Sequence, residues 1–215
     1  MHIVITGASR GIGQALAAHY TAAGHRVTAT SRKGDNGLWP LDVTDKTAHE
    51  RLAKELGDTP VDLLICNAGI YADKGQSLDT GYDVPLWEEG FATNVTGVFL
   101  AVQALLPQLE RASGAKIAII SSQMGSDTRA PGGSYIYRAS KAAALNLGRN
   151  LASDLKPRGI AVGIYHPGWV QTGMGGAGAD LTTEQSAEGL AARFDGLSLS
   201  TTGCFETWDG RAHPF

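Results

Sequence analysis

The sequence has no excess of positive charge: its 215 residues include 18 lysines and arginines against 21 aspartates and glutamates. A net charge of −3 gives no electrostatic basis for binding nucleic acid or an anionic membrane. The sequence also has no charged leader before an apolar run, and no uninterrupted apolar segment long enough to span a bilayer. We therefore expect a cytoplasmic protein that binds neither nucleic acid nor membrane.

Cysteine is scarce, and histidine does not occur in ligand-like pairs. Cys66 and Cys204 are far apart and lack the spacing of a redox or metal-binding pair, so we expect both to be reduced and structural. The six histidines include no pair at the helical spacing of metal ligands. The sequence therefore predicts no bound metal.

Glycine, in contrast, is abundant at 28 residues, and three glycines stand in one loop near the start of the chain. Residues 2–5 predict a short apolar strand, and the glycine loop follows it directly. Glycines let such a loop turn sharply and approach a pyrophosphate, while the amides of the next helix face the phosphates. The predicted nucleotide-binding loop contains Gly7, Ser9, Arg10, Gly11, Ile12 and Gly13.

The rest of the chain alternates apolar, strand-like runs with segments of helical periodicity. Predicted strands cover residues 2–5, 26–30, 38–41, 61–66, 116–120, 160–165 and 204–207, and predicted helices cover residues 12–23, 44–56, 87–109, 135–155 and 181–194. This alternation predicts one α/β domain over residues 1–215, a Rossmann fold with a doubly wound, mostly parallel seven-stranded sheet flanked by helices. Ligands bind such sheets at the carboxyl ends of the strands, where the chemically interesting motifs of this sequence fall.

Four polar residues downstream of the loop occur in an order that hydride transfer requires. Tyr137 and Lys141 lie one helical turn apart, so the ammonium can lower the phenol pKa from its ordinary value of about 10. Ser122 follows a predicted strand and can donate a hydrogen bond to a carbonyl oxygen that Tyr137 protonates. Asn94 is unfavourable inside a helix unless its amide holds water or backbone. Each residue alone has an ordinary structural explanation, but together they indicate a carbonyl-reducing site.

Three motifs support this interpretation, and they are Thr6-Gly7 with Gly11-Ile12-Gly13, Cys66-Asn67-Ala68-Gly69, and Tyr137-Arg138-Ala139-Ser140-Lys141. They resemble the cofactor loop, the strand-four motif and the active-site signature of the short-chain dehydrogenase/reductase family, of the classical type. The resemblance implies that Tyr137 is the general acid and that Lys141 lowers its pKa and binds the nicotinamide ribose. It further implies that Ser122 positions the carbonyl and that Asn94 holds a water of the proton relay.

The resemblance also extends the cofactor site and leaves one assignment open. It implies that Asp42 and Val43 flank the adenine and that Thr172 contacts the nicotinamide amide. The segment between Ser122 and Tyr137 is slightly longer than is usual in the family, so Ser121 stays an alternative to Ser122. The further implied cofactor contacts are Asn67, Ala68, Gly69, Tyr137, Lys141, Pro167, Gly168 and Val170.

The residues after the second predicted strand favour NADP(H) over NAD(H). This strand ends in Thr30-Ser31-Arg32-Lys33, without the acidic residue that would bind an NAD ribose and repel a phosphate. Arg10 and Arg32 can converge on the 2′-phosphate, where Ser31 and Lys33 are neighbours.

Within the family, the segment His166-Pro167-Gly168-Trp169-Val170 resembles the compact C-factor and sniffer-like carbonyl reductases. The glycine-rich segment over residues 173–180 is a candidate lid. The sequence shows no obvious arginine clamp, so we expect an uncharged aldehyde or ketone as the substrate. The family resemblance implies a homodimer or homotetramer assembled through the helices that carry Asn94 and Tyr137.

The same motifs are compatible with two other interpretations. Gly7-Ala8-Ser9-Arg10-Gly11 also fits the G-x-S-x-G elbow of hydrolases, but no other strand precedes it and no acid partner for His166 is evident. The second alternative is an NADP(H)-binding sensor or signalling protein with little turnover. A pure binding protein has no need for the four polar residues together, so the enzyme is the preferred interpretation.

Overall fold

One sheet of seven parallel strands runs through the computed structural model, which describes residues 1–79 and 81–215. The strands are β1 (His2–Ile5), β2 (Arg26–Ser31), β3 (Trp39–Pro40), β4 (Leu63–Cys66), β5 (Lys116–Ile120), β6 (Ala161–His166) and β7 (Phe205–Thr207). Their order across the sheet is β3-β2-β1-β4-β5-β6-β7, and each neighbouring pair is parallel. The predicted doubly wound α/β fold is confirmed.

Helices cover both faces of this sheet. They are α1 (Gly11–Ala22), α2 (Lys46–Leu56), α3 (Val84–Phe91), α4 (Gly97–Arg111), α5 (Tyr135–Leu155) and α6 (Thr183–Gly196). Apolar residues of α1 and α6 form one core with the sheet, while those of α2, α4 and α5 form the other. Strands β1, β4 and β6 are buried along their whole length, because helices cover both sides of them.

The winding of the chain reverses beside β1. After β1 the chain moves outward to β2 and β3, and it then returns to β4 on the other side and continues to β7. Two parallel strands that flank such a reversal leave a crevice at their carboxyl ends, where α/β proteins bind ligands. The glycine loop after β1 and the residues after β4 border this crevice.

The predicted helix over residues 87–109 is confirmed, but it is divided by an irregular turn. α3 begins earlier, at Val84, because Pro85 is tolerated in a first helical turn, where its missing N–H leaves no bond unmade. The residues Ala92–Thr96 then form one π-helical turn before α4 begins. Such turns are frequent at functional sites, and this one contains Asn94.

The continuous helical stretch over residues 84–111 is long and apolar enough to cross a membrane by length and composition, with a mean hydropathy of 1.3 over its most apolar window. The sequence expectation concerned an uninterrupted apolar segment, and this stretch is interrupted by polar residues such as Asn94 and Thr96. In the structure, 39% of that window is buried. Val98, Val102 and Leu105 belong to the core with α2 and the sheet, and a core helix passes the same compositional test.

Several elements differ by one or two residues from the sequence prediction, and two of these differences have a clear physical cause. The strand predicted over residues 38–41 contains two residues, because Pro40 cannot donate a ladder hydrogen bond and lies at the sheet edge. α6 begins two residues later than predicted, because Thr182 and Gln185 form a capping box. The Thr182 hydroxyl accepts from Gln185 N at 3.2 Å, and the Gln185 side chain accepts from Thr182 N at 3.0 Å.

Candidate active site

The glycine loop between β1 and α1 is shaped by close contacts that leave no room for side chains. Gly7 and Gly11 have φ angles of +70° and +61°, which glycine adopts without steric cost. A Cβ on Gly13 would collide with the Gly7 carbonyl oxygen and with the side-chain amide of Asn67. The loop is therefore tight, and α1 begins at the crevice, as a phosphate-binding helix does.

Thr6 and Asn67 hold this loop in place. The side-chain amide of Asn67 donates to the carbonyl oxygens of Thr6 at 3.1 Å and Gly7 at 2.9 Å. The Thr6 hydroxyl accepts from the backbone N–H groups of Asn67 at 3.0 Å and Ala68 at 3.1 Å. Sequence analysis placed Thr6 in the motif of the glycine loop but gave it no role, because that role depends on a partner 61 residues away. In the structure, the side chain of Asn67 therefore supports the backbone of the glycine loop.

The two arginines predicted to bind a phosphate lie at neighbouring strand ends. Ala8 N donates to Thr30 O at 2.7 Å, which ties the glycine loop to the end of β2. Arg10 and Arg32 are both exposed, and neither forms an ion pair with any residue in 1–79 or 81–215. Both guanidinium groups are thus available to a ligand.

Other predicted contacts of the cofactor's adenosine end lie close by. The buried Ser31 hydroxyl accepts from Gly34 N at 3.0 Å and donates to Asp35 at 3.4 Å. Hydrogen bonds from Thr44 lower the pKa of Asp42, and the charge of Arg32 adds to this effect. Val43 is buried at a small void that Thr6 and Ala68 also border. These positions surround the crevice beside β1 and β2.

Tyr137 lies in the first turn of α5 and is 8% exposed. Its ring stacks on Tyr71, with centroids 4.4 Å apart and planes inclined by 20°. The Lys141 Nζ lies 5.6 Å from the centroid of the Tyr137 ring, on the same face of α5. The helical spacing therefore brings the two predicted catalytic groups together.

The pKa of Tyr137 differs in direction from the sequence prediction. Burial raises it to about 12, while a hydrogen bond with Ser122 lowers it and the neighbouring Tyr71 raises it. The expected lowering by the Lys141 ammonium is therefore wrong in this structure. Burial disfavours the charged phenolate more strongly than the neighbouring groups favour it. Tyr137 is consequently a neutral phenol near pH 7.

Lys141 is buried at the end of β5 and faces Gly69. Its Nζ donates to Ile120 O at 2.9 Å, and burial lowers its pKa to about 8. A Cβ on Gly69 would lie 3.3 Å from both Lys141 Nζ and Asn94 Oδ1. Gly69 therefore keeps a space open between these two polar groups, which explains its place in the motif after β4.

Asn94 is buried in the π-helical turn, and its amide is engaged by backbone and a hydroxyl. Its Oδ1 accepts from Ile70 N at 2.9 Å, and its Nδ2 donates to Ile70 O at 2.9 Å and to Ser140 Oγ at 3.0 Å. The amide thus connects the loop after β4 to α5. Of the two uses expected for it, holding backbone is the one in the structure, and the relay water stays a prediction.

The geometry distinguishes Ser122 from Ser121. The Ser121 hydroxyl donates to Lys141 O at 2.9 Å, which occupies it in supporting α5. The Ser122 hydroxyl accepts from Met124 N at 3.1 Å and lies within hydrogen-bonding reach of Tyr137. Ser122 is therefore the serine placed beside the phenol.

Asp73 is a site residue that sequence analysis missed. It is 1% exposed, and its carboxylate accepts from Ile136 N at 2.8 Å and Tyr137 N at 3.1 Å, two free amides at the start of α5. Tyr71, two residues earlier, hydrogen-bonds through its hydroxyl to Ser134. The loop after β4 therefore holds the helix turn that carries Tyr137.

We expect Asp73→Asn to lower the free energy of unfolding by about 1–3 kcal/mol, because one of two charge-assisted bonds to a buried amide is lost. The turnover number should fall with it, since Tyr137 would no longer be held at one position. Asp45→Asn is the matched control, because Asp45 caps α2 through Thr47 N at 2.8 Å on the exposed surface. Urea unfolding and kcat of both variants measure this, and equal effects of the two would contradict it.

The loop after β6 lies against the glycine loop. A Cβ on Gly11 would come within 3.3 Å of the Thr172 methyl group, so Thr172 lies beside α1. Gly168 has a φ angle of +87° and no room for a Cβ against Leu181. Val170 is buried and bridges to Leu181, and the Pro167 carbonyl accepts from Ser186 at 2.7 Å. The predicted cofactor contacts Pro167, Gly168, Val170 and Thr172 therefore lie together in the loop after β6.

Among the described residues, neither the cysteines nor the side chains that commonly bind metals form a disulfide or a metal site. Cys66 and Cys204 are free among the described residues, and burial raises the pKa of Cys66 to about 12. Across the described ranges, no group of three histidine, cysteine, aspartate or glutamate side chains could hold a metal ion.

Comparisons of the sequence with known proteins agree with these motifs. The family model described as short chain dehydrogenase matches residues 1–180 of this chain. The chain is 34% identical over 168 residues to the C-signal of Myxococcus xanthus, which covers 73% of this chain and 93% of the relative.

Solved structures show the same similarity over the whole fold. An NADPH-bound carbonyl reductase from chicken fatty liver superimposes with a TM-score of 0.87 at 30% identity, over 100% of this chain and 98% of the other. The carbonyl reductase Sniffer of D. melanogaster superimposes with a TM-score of 0.91 at 26% identity, over 100% and 99% of the two chains. The resemblance stated from the motifs is therefore confirmed.

Proposed function

Because the chain belongs to the short-chain dehydrogenase/reductase family of oxidoreductases, we propose that it is an NADP(H)-dependent carbonyl reductase. In this proposal it reduces an aldehyde or ketone to an alcohol, or catalyses the reverse reaction. The observation that carries the proposal is the convergence of Ser122, Tyr137 and Lys141 at the end of β5, beside the glycine loop at the end of β1.

The residues around the crevice fit a nicotinamide dinucleotide. Gly7 and Gly13 leave the backbone exposed for close approach, and Arg10 and Arg32 are available for a phosphate. The space that Gly69 leaves beside Lys141 and Asn94 can receive the polar edge of a ribose. When bound there, the cofactor supplies a hydride from nicotinamide C4 to the carbonyl carbon.

Tyr137 provides the proton in this mechanism. Like any phenol whose pKa lies well above 7, Tyr137 is protonated at neutral pH, which is the form that donates to the carbonyl oxygen during reduction. Ser122 donates a second hydrogen bond to the same oxygen, so the developing negative charge is shared between two donors. Lys141 binds the ribose, and Asn94 holds a water that continues the proton relay from Lys141 toward solvent.

The preference for NADP(H) over NAD(H) is part of this proposal. Arg10 and Arg32, which have no carboxylate partners among the described residues, support this preference. Asp35 does not serve as the acidic residue that binds an NAD ribose, since its carboxylate accepts from Ser31 at 3.4 Å. A 2′-phosphate held by Arg32 gains charge-assisted hydrogen bonds that the ribose of NADH cannot form.

We expect Arg32→Ala to lower kcat/KM for NADPH by roughly tenfold to a hundredfold and to change that for NADH by less than about twofold. Initial rates with both cofactors measure this. Arg51→Ala, in which an exposed arginine of α2 is removed, serves as the control for a general loss of positive charge. An equal loss with both cofactors in Arg32→Ala would contradict the proposed phosphate contact.

The activity test is oxidation of NADPH and NADH in the presence of diketones, quinones and aromatic aldehydes. Turnover with NADPH supports the reductase. Tight NADPH binding without turnover of any carbonyl would favour the alternative of a sensor or signalling protein, which uses the same cofactor site.

Three further properties belong to the same proposal. We take residues 1–215 as one NADP(H)-binding domain that acts on a small molecule in the cytoplasm. Membrane and nucleic acid are not among its proposed partners. Assembly into a homodimer or homotetramer would use α4 and α5, the helices next to Asn94 and Tyr137.

A further inference from the structure

A cavity of about 430 Å³ opens at the carboxyl ends of β6 and β7. Gln123, which directly follows Ser122, and Gly168, in the turn after β6, both line it. The cavity therefore borders the proposed catalytic site through residues adjacent to its members. Its volume lies in the range of cavities that hold small organic ligands. None of the reaction steps assigned above uses its other walls.

These walls carry charged side chains of both signs, and one of them is an arginine without a carboxylate partner among the described residues. Arg129 and Arg211 both line the cavity, with Asp180 as the one carboxylate among the lining residues. Arg211 is paired with Asp209, since its Nε lies 2.8 Å from Asp209 Oδ2. Arg129 donates to Gln123 Oε1 at 2.7 Å and has no carboxylate partner within the part of the chain that the structure describes. One guanidinium is thus left for a ligand.

Two histidines stand beside these arginines. His166 lines the cavity and is 7% exposed, yet its Nδ1 is buried without a hydrogen-bond partner among the described residues. The ring of His213 lies 6.0 Å from that of His166, centroid to centroid. A buried polar atom without a partner is costly and rare in folded proteins, and an ordered water or an ion is one way in which the missing partner is supplied.

His166 has charged neighbours of both signs. Its pKa is lowered to about 4, mainly by burial and also by His213, Arg129 and Arg211, while Asp209 raises it. Arg129 is the arginine near this ring that has no carboxylate partner among the described residues. An unpaired guanidinium at a cavity attracts an anion.

We propose that this cavity receives an oxyanion substituent of the carbonyl substrate, a carboxylate or a phosphate, with Arg129 as the main contact and His166 as a hydrogen-bonding partner. The proposal rests on the proposed carbonyl reductase activity and replaces the expectation of an uncharged substrate. Sequence analysis found no arginine clamp because Arg129 and Arg211 are 82 residues apart in the chain and meet at one cavity through the fold.

The apolar walls indicate the rest of the substrate. Trp169 is 51% exposed at the cavity, and Leu181 and Trp208 line it beside the charged groups. Aromatic side chains of this kind pack against a flat or aliphatic ligand body. An aromatic aldehyde with an acidic substituent therefore has the chemistry that these walls recognise.

The test compares substrates that differ in charge at one position: 4-carboxybenzaldehyde, 4-formylphenyl phosphate and the neutral methyl 4-formylbenzoate. We expect kcat/KM of the unmodified enzyme with NADPH to be at least about tenfold higher for one or both acidic aldehydes than for the ester. Which acidic aldehyde is preferred distinguishes a carboxylate from a phosphate ligand. Equal values for all three would overturn the proposal.

Substitution of Arg129 tests whether this side chain contacts the acidic group of the substrate. Arg129→Gln should reduce the advantage of the acidic aldehydes at least about tenfold, mainly through KM, and leave the ester within about twofold. Arg129 is exposed, so the variant should fold. Arg158→Gln is the matched control, because Arg158 pairs with Glu110 and lies just before β6, at the amino end of the strand whose carboxyl end borders the cavity. An unchanged preference in Arg129→Gln would overturn the assignment.

A binding measurement separates this proposal from the proposed activity. Titration of the NADP⁺-loaded protein with benzoate and with the neutral ester methyl benzoate needs no turnover, because neither compound can be oxidised by the cofactor. Benzoate should bind more tightly than methyl benzoate, and Arg129→Gln should weaken benzoate binding at least about tenfold while leaving methyl benzoate unchanged. If no carbonyl compound is reduced but benzoate behaves in this way, the activity fails and the anion site stands. Equal binding of the two compounds would overturn the site.

Discussion

Tyr137→Phe is expected to lower kcat for carbonyl reduction by about a hundredfold to ten-thousandfold, with NADPH affinity changed by less than about twofold. The substitution removes the one hydroxyl that can both reach the carbonyl oxygen and give up a proton. The ring would still stack on Tyr71, whose centroid lies 4.4 Å away, so the packing around it should be kept. Tyr137→Phe therefore removes the proton donor while it keeps the packing of the ring.

Stopped-flow or steady-state oxidation of NADPH measures kcat, and fluorescence titration measures NADPH affinity. Tyr135→Phe is the matched control, since Tyr135 lies in the same turn of α5 but is exposed. This control should retain full activity. If Tyr137→Phe kept more than about a tenth of the activity, the phenol would not be the main proton donor, and Ser122 would have to be tested in that role.

Gly13→Ala should have the largest effect on the cofactor site. An added methyl group would collide with the Gly7 carbonyl oxygen and the Asn67 amide, and neither group can move without opening the loop that Thr6 and Asn67 hold. Overpacking of this kind costs about 1–3 kcal/mol, so we expect NADPH affinity to fall by roughly tenfold to a hundredfold. The melting temperature should fall as well.

Calorimetric titration with NADPH and thermal unfolding measure the two effects. Gly196→Ala is the control, because no described atom lies within 4 Å of the added methyl group at the end of α6. In a helix, alanine is preferred over glycine by about 1 kcal/mol, so this control should be as stable as the unmodified protein or slightly more stable. Unchanged NADPH affinity in Gly13→Ala would mean that the cofactor does not use this loop.

Local patterns predicted the elements whose cause is local. The strands over residues 2–5 and 116–120 and the helix over residues 135–155 were predicted with the bounds that the structure has. Each is a continuous apolar run or an alanine- and leucine-rich segment bounded by glycine or proline, so burial and propensity agree along the chain. The π-helical turn was not predictable in this way. It is accompanied by bonds from Asn94 to Ile70 and Ser140, which are 24 and 46 residues away.

The features of the site also divide into those that local patterns predict and those that depend on contacts between distant residues. Helical periodicity was enough to predict that Tyr137 and Lys141 share a face. It could not predict the direction of the phenol pKa, which depends on how deeply the fold buries the ring. Nor could it identify Asp73, because an aspartate in a glycine-rich loop has no local signal for capping a helix that begins 62 residues later.

The sequence by itself predicted the fold class, the glycine loop and three of the four proposed catalytic residues, Asn94, Tyr137 and Lys141, and it left the choice between Ser121 and Ser122 open. These follow from spacing along the chain and from the residue types that a turn, a helix face or a proton transfer requires. Tertiary structure alone decided the raised pKa of Tyr137, the support from Thr6 and Asp73, and the meeting of Arg129, Arg211 and His166 at one cavity. Burial and contacts between distant residues arise only when the chain is packed, so no local pattern records them.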